Sequence, residues 1–186
     1  MSNESRLSNS LTQIAIADFA DEMASITTPT ALGRLFRGTP TEFQMDAGAL
    51  AASGSARQSA KIDFGASRAP LYQLRATVEF TAVAGVGDTI DFYMAPSQSG
   101  TPGTGNVGST TGVDGAFTVE DDYLAQMTYI GSLSCDDGLV IQSGIVGVYS
   151  PLQQYGNLVM VNNADVNVAT VVDELHAVFD DVSYGT

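Results

Sequence analysis

Tryptophan is absent from this 186-residue chain, which has one cysteine, one histidine and, beyond Arg75, no lysine or arginine. Each absence excludes something. A lone thiol, Cys135, allows no internal disulfide. With His176 as the single imidazole, no zinc site can be assembled without carboxylates drawn from elsewhere. Cys135 reads as a small buried apolar residue rather than a nucleophile. A Ser-His-Asp or Cys-His device would have to use His176, which sits in the apolar stretch Val171 to Phe179, where a core or interface histidine is the simpler role. No cofactor, metal or catalytic residue is expected. No stretch approaches the ~18 apolar residues of a membrane span. The start, Met1-Ser-Asn-Glu-Ser-Arg-Leu7, lacks the regions of a secretory signal, so synthesis in the cytosol and no membrane partner are expected. Without Trp, an immunoglobulin domain is disfavoured.

Positive charge is scarce and unevenly placed. Residues 1–75 hold all seven basic residues (Arg6, Arg34, Arg37, Arg57, Lys61, Arg68 and Arg75) and seven acidic ones, while residues 76–186 hold the other fourteen carboxylates, giving the net −14. Neutralising phosphates requires Lys and Arg, so an anionic surface of this kind repels nucleic acid and acidic lipid. The charge split has two readings: solubility in surroundings salty enough to screen self-repulsion, or two regions that face different partners.

Residues 1–55 are rich in Ser, Thr, Ala and Gly. Leu11 to Met23 suits a short helix or a strand, with Ile14, Ile16 and Ala20 fitting neither period. Pro29, Gly33, Gly38 and Pro40 then exclude a continuous helix. Such a stretch cannot by itself bury enough surface to offset its ordering entropy, and it reads as an extended arm that needs a surface to lie on.

From residue 58 the pattern has period two. Tyr72, Leu74, Ala76, Val78 and Phe80 share one face, with Gln73, Arg75, Thr77 and Glu79 on the other, the alternation of a half-buried strand. After the turn cluster Ala84 to Asp88, a strand over Thr89–Ala95 points Ile90, Phe92 and Met94 inward and Tyr93 outward. Further strands are expected at Gln126–Ser134, Leu139–Tyr149, Leu158–Asn162 and Val166–Val182, the last one broken or whole. Asp136-Asp137-Gly138 signals a hairpin between the first two. Short strands separated by Gly and Asp turns, with no long helix after residue 60, predict an all-β fold: an antiparallel β-sandwich or jelly-roll-like domain over 56–186, preceded by the arm over 1–55. A closed barrel is the alternative.

The loop Ser97–Asp114 has five glycines and no charge before its last residue. Structureless loops beyond about 12–15 residues are uncommon in compact domains and are usually functional or mobile, so this one suits a projecting tip or a segment lying on a neighbour. Within it, Gly103 to Gly108 matches G-x-G-x-x-G. No helix can open after it, and the dinucleotide reading fails on that ground. The acidic clusters Glu120-Asp121-Asp122, Asp136-Asp137 and Asp180-Asp181 lack calcium-loop spacing. Adjacent carboxylates in a strand would point to opposite faces, and solvated turns are the expected setting. A sugar-binding module would present several of Tyr72, Tyr93, Tyr123, Tyr129, Tyr149 and Tyr155 on one exposed face.

Ala56 to Lys61, Asp91 to Ser97, Tyr129 to Leu133, Gly147 to Pro151, and Tyr155-Gly156 before Leu158 to Asn162 resemble a set of tailed-bacteriophage virion proteins. The resemblance runs over about residues 56–182 and leaves out the arm. It implies a structural component of a phage particle, assembled in the host cytoplasm, without catalytic residues. Capsid decoration or cement on the outside of the head is the favoured role. The partners expected are the major capsid protein or other virion proteins, together with further copies of the chain (a trimer favoured). A tail, adaptor or tube component and a carbohydrate-binding module for host attachment are the alternatives. Partner contacts are expected on the arm, where Arg34 and Arg37 flank Leu35-Phe36, and on the basic first strands of the domain, at Arg57 and Lys61.

Overall fold

The computed structural model describes residues 13–17, 41–170 and 176–182 with their side chains, and the backbone of 5–7, 183 and 184. Among the described residues twelve strands make two sheets: β1 (Ser5–Leu7), β2 (Ile14–Ala17), β3 (Thr41–Gln44), β4 (Ser55–Gln58), β5 (Ile62–Asp63), β6 (Tyr72–Glu79), β7 (Thr89–Ser97), β8 (Gly115–Phe117), β9 (Thr128–Ser134), β10 (Ile141–Tyr149), β11 (Tyr155–Asn162) and β12 (His176–Tyr184). Among the described residues there is one helix of four residues, α1 (Asp121–Leu124), between β8 and β9. The first sheet has the order β10-β6-β12-β2-β3 with β1 beside β12, and the second β8-β4-β11-β7-β9 with β5 beside β11. Every pairing is antiparallel except β2 with β3. The all-β sandwich expected from alternation is the observed architecture.

The pairing is nested. Strand β7 pairs β9, outside them β6 pairs β10, then β4 pairs β11, and outermost β2 pairs β12. Successive pairs fall alternately in the second and first sheets, so the chain wraps around one core. Tyr72, Leu74, Ala76 and Val78 of β6 meet Ile90, Phe92 and Met94 of β7 inside that core, with Leu158 and Met160 of β11 and Phe179 of β12. Those are the inward positions that the alternation predicts. Four rings gather at one end of it, Phe64, Tyr72, Tyr149 and Phe179, with centroids 5.3 to 6.2 Å apart. Tilted and edge-on pairs of this kind add about 0.5–1.5 kcal/mol each to the burial of their surface. Burial pushes the Tyr149 hydroxyl up to about 12.

Strand β11 is buried along almost its whole length on both faces. Its outer residues Val159 and Val161 join Ala56 and Phe117 in a second apolar cluster, and Tyr123, Leu124 and Met127 from α1 and the turn after it close over this cluster. Strand β2 is likewise buried on both faces, Ile14 and Ile16 toward the core and Ala15 and Ala17 away from it.

Part of the segment expected to be an arm is therefore woven into the domain. Ile14–Ala17 lies between β12 and β3 within the first sheet, and Met45, Ala47 and Leu50 enter the core. Residue 55 marks no architectural break: a chain this size needs those apolar side chains to complete its core. Of the arm residues singled out in sequence, Arg34, Leu35, Phe36 and Arg37 lie outside the described residues.

The hairpin signal at Asp136-Asp137-Gly138 also has a different outcome. The chain does reverse there, but β9 ladders with β7 in one sheet and β10 with β6 in the other. The turn straddles the sandwich, and its two strands meet by close backbone approach instead of a shared ladder. Gly131 faces the Val146 carbonyl and Gly147 faces the Ile130 carbonyl, and a Cβ at either glycine would fall far inside van der Waals contact with that oxygen. Two glycines thus let the sheet edges touch on this side.

Candidate functional site

The positive charge of the domain was the expected partner-binding feature, and the structure gives each of these side chains an intramolecular role. Arg57, on β4, reaches the lateral edge where the two sheets part. Its Nε donates to Asp114 Oδ1 at 2.9 Å and an Nη to Asp114 Oδ2 at 3.1 Å, the two-pronged geometry that favours Arg over Lys. Asp46 Oδ2 lies 3.9 Å from the same guanidinium, and the Asp46 amide donates to Asp114 at 3.2 Å. Asp46 follows edge strand β3 and Asp114 precedes edge strand β8, so Arg57 ties the edges of the two sheets together.

Lys61, between β4 and β5, is buried. Its ammonium donates to Ser97 Oγ at 2.8 Å, to the Thr104 carbonyl at 3.3 Å and to Asn106 Oδ1. Its own amide donates to the Gly112 carbonyl at 3.1 Å. Burial lowers its pKa. Lys61 is buried, the post around which the glycine-rich loop is wound. The loop lies on its own domain, held also by Thr111 N–H on Gln58 Oε1 at 2.8 Å and Gly103 N–H on the Thr111 carbonyl at 2.6 Å. Glycine is required at 112, where φ is +77° and a Cβ would meet the Lys61 side chain.

Arg68 donates to the carbonyls of Pro151 and Leu152 at 3.0 and 3.1 Å, fixing the β10–β11 connection. Arg75 donates to Asp180 Oδ2 at 2.6 Å on the outer face of the first sheet, and Gln13, just before β2, donates to the other oxygen of the same carboxylate. Asp180 and Asp181, expected in a solvated turn, are instead buried in β12, because the strand continues through them. The four described Lys and Arg side chains thus act as ties between elements 36 to 105 residues apart in sequence.

His176 occupies the same outer face as Arg75, opposite Thr77 of β6 and Ala17 of β2. It is buried, and desolvation, helped by the Arg75 charge, lowers its pKa from 6.5 to about 4. It is therefore a neutral structural imidazole at pH 7. Between pH 6.5 and 4 the unfolded chain takes up a proton that the folded chain refuses, so stability falls on acidification, by about 3 kcal/mol over the window. Urea titrations at pH 7 and 4.5 check this: His176→Gln should lose less stability between the two than the wild type, and equal losses would refute it. Cys135 is buried too, and desolvation with the nearby Asp88 carboxylate pushes its thiol to about 11, far from a thiolate nucleophile at neutral pH.

Among the described residues no group of three His, Cys, Asp or Glu is placed to hold a metal ion. Beside Arg57 a cleft of about 320 Å³ opens between Leu50, Ala51, Ala56 and Phe117. Of the tyrosines considered for sugar stacking, Tyr72 and Tyr149 are core residues, and Tyr93, Tyr123 and Tyr155 are half-buried. Only Tyr129 among these six is exposed, its ring centroid 5.2 Å from that of Tyr93. That is one ring and no row of platforms.

The exposed apolar residues lie elsewhere than the basic edge. Tyr129, Leu139, Val140, Ile145, Val148 and Leu152 are exposed on or beside β9 and β10, six of the nine large hydrophobic side chains exposed among the described residues. Sequence reasoning missed this edge, although a signal exists: residues 138–163 contain no charge at all in a chain of net charge −14. No protein-family model matches the chain, and comparison with curated proteins gives no match.

Proposed function

We propose that this chain is a non-enzymatic structural protein of a tailed-phage particle, an oligomeric decoration or cement protein on the outside of the head. One observation carries the reading. The nested pairing β7–β9, β6–β10, β4–β11 and β2–β12, alternating between two sheets, supports reading the sandwich as a jelly roll. Double-sheet jelly rolls are shared by viral capsid and lectin domains. Fold alone does not choose between these; the resemblance of residues 56–182 to phage virion proteins favours the first, and the single exposed tyrosine gives the second little to stack a sugar on.

The charge distribution supports a division of labour. With Arg57, Lys61, Arg68 and Arg75 bound within the domain, the cations remaining in the sequence are Arg6, Arg34 and Arg37. Two of these flank Leu35-Phe36 in sequence, and this pairing of cations with apolar side chains is the feature proposed to grip an anionic or mixed shell surface. Away from the uncharged β9–β10 edge the domain's exterior is rich in carboxylates, which repel nucleic acid.

Antibody labelling and copy counting on purified particles test the proposal, with Arg34→Glu/Arg37→Glu as the variant. The protein is expected on the head in many copies, and the variant should bind particles at least about tenfold more weakly while its thermal unfolding is unchanged. Label confined to the tail would make it a tail component. Absence from particles, or full binding by the variant, would refute the head-binding role.

A further inference from the structure

We infer that the β9–β10 edge is the surface through which copies of this chain associate with one another. The inference rests on the oligomeric part of the reading above and supplies its surface.

Ile145 and Val148 point outward from β10, the last strand of the first sheet, and are 62% and 56% exposed. The backbones of β9 and β10 touch where Gly131 meets Val146 and Gly147 meets Ile130. One residue further along each strand from the second contact stand Val148 and Tyr129, the latter 52% exposed. Leu139 and Val140 continue the apolar surface at the start of β10, and Leu152 follows its end. A strand of this length spans about 30 Å, so these side chains form a strip along one edge of the sandwich. Scattered single hydrophobics need no explanation, whereas a contiguous group of them does.

The charge pattern says what occupies it. Strands β9 and β10 carry no Asp, Glu, Lys, Arg or His, and from residue 123 to 163 Asp136 and Asp137 of the turn are the only charges. Elsewhere carboxylates line the surface. Two copies, each of net charge −14, repel wherever carboxylate-bearing faces are brought together. They can approach at low electrostatic cost along this strip. A cationic partner would gain nothing here and would be drawn to the acidic faces. Carboxylates flank the strip: Asp136 and Asp137 stand in the turn just before Leu139, Glu79 pairs in register with Ile141, and Asp91 accepts from Ser132 and Asn163. The occupant that fits an uncharged apolar strip on a strongly anionic protein is a second copy presenting the same strip.

Sedimentation velocity of the full chain over a micromolar concentration series is the test. The wild type is expected to associate, and Ile145→Asp/Val148→Asp should weaken self-association at least about tenfold with unchanged circular dichroism and melting. Ile145→Thr/Val148→Thr, which keeps branched residues suited to a strand, should weaken it in the same direction and covers failure of the aspartate pair to fold. Val86→Asp, at an exposed valine in the β6–β7 loop, should leave it unchanged. Added salt should tighten association by screening the anionic faces. A wild type that stays monomeric, variants that associate as the wild type does, or association that weakens with salt would overturn the inference. None of these outcomes depends on where the protein sits in a particle.

Discussion

Gly131→Val is expected to abolish the native fold, or to lower its stability by about 3 kcal/mol or more, and Gly147→Val to do the same. The reason is position, since the hydrogen on each glycine Cα occupies space that a Cβ cannot share with the facing carbonyl oxygen, of Val146 in one case and Ile130 in the other. The obstacle is backbone on a laddered strand, β10 with β6 in the first case and β9 with β7 in the second, so it cannot rotate away as a side-chain tip would. Overpacking a well-filled interior costs about 1–3 kcal/mol even when side chains can adjust, and here two strand backbones from different sheets would have to separate. Glycine inside a strand is otherwise unfavourable for its entropy and for the packing it forgoes, and its presence marks close approach of another backbone. Gly115→Ala is the control, because its nearest neighbour to a new Cβ is 4.0 Å away, and its effect should be within about 0.5 kcal/mol. Urea unfolding of the three variants checks the contrast. Near-wild-type stability in Gly131→Val would mean that β9 and β10 are not in contact.

These glycines also show where sequence reading reaches its limit. Period-two alternation gave β6 and β7 almost residue for residue, because each has one face on a single core and the burial is local information. It placed the turn at Asp136-Asp137-Gly138 as well. It could not tell that the strands on either side enter different sheets, since that depends on contacts of β9 with β7 and of β10 with β6. Ile14–Ala17 was opaque for a related reason. Both of its faces are buried, so Ile-Ala-Ile-Ala carries no polar residue to reveal a period, and a strand buried on two faces cannot be told from any short apolar run.

The candidate site was less legible still. A cation near a chain's beginning looks like a partner contact until its carboxylate is found 57 residues away, as for Arg57 with Asp114. Lys61 has no carboxylate among its hydrogen-bond partners; the groups that receive its protons are a hydroxyl, a carbonyl and an amide oxygen in a loop whose composition suggests mobility. The β9–β10 strip was open to reading in one respect, its lack of charge. Which of its apolar residues face outward depends on the Ile145/Gly147 register shift, a bulge that puts Ile145 and Val148, three residues apart, both at the surface.

Arg75→Met should be the most damaging change to the charge network, with an expected loss of about 3–5 kcal/mol, the range for removing one partner of a buried pair. The two members are unequal. The Asp180 side chain is 1% exposed and Arg75 25%, so the guanidinium still reaches water while the carboxylate does not. Taking away Arg75 removes a guanidinium 2.6 Å from an Asp180 oxygen in a site from which water is excluded, while the Gln13 amide still donates to the same carboxylate. Asp180→Asn, by contrast, leaves a cation that solvent can partly hydrate and an amide oxygen that can still accept from Gln13, and it should cost clearly less. Combining the two removes both charges, and Arg75→Met/Asp180→Asn should be more stable than Arg75→Met alone. That sign is diagnostic, because two independent losses would add. Denaturant titration of the four proteins closes the cycle. A double variant less stable than Arg75→Met by the full cost of Asp180→Asn would show that the pair is not coupled, and that Arg75 holds β6 to β12 through its packing alone.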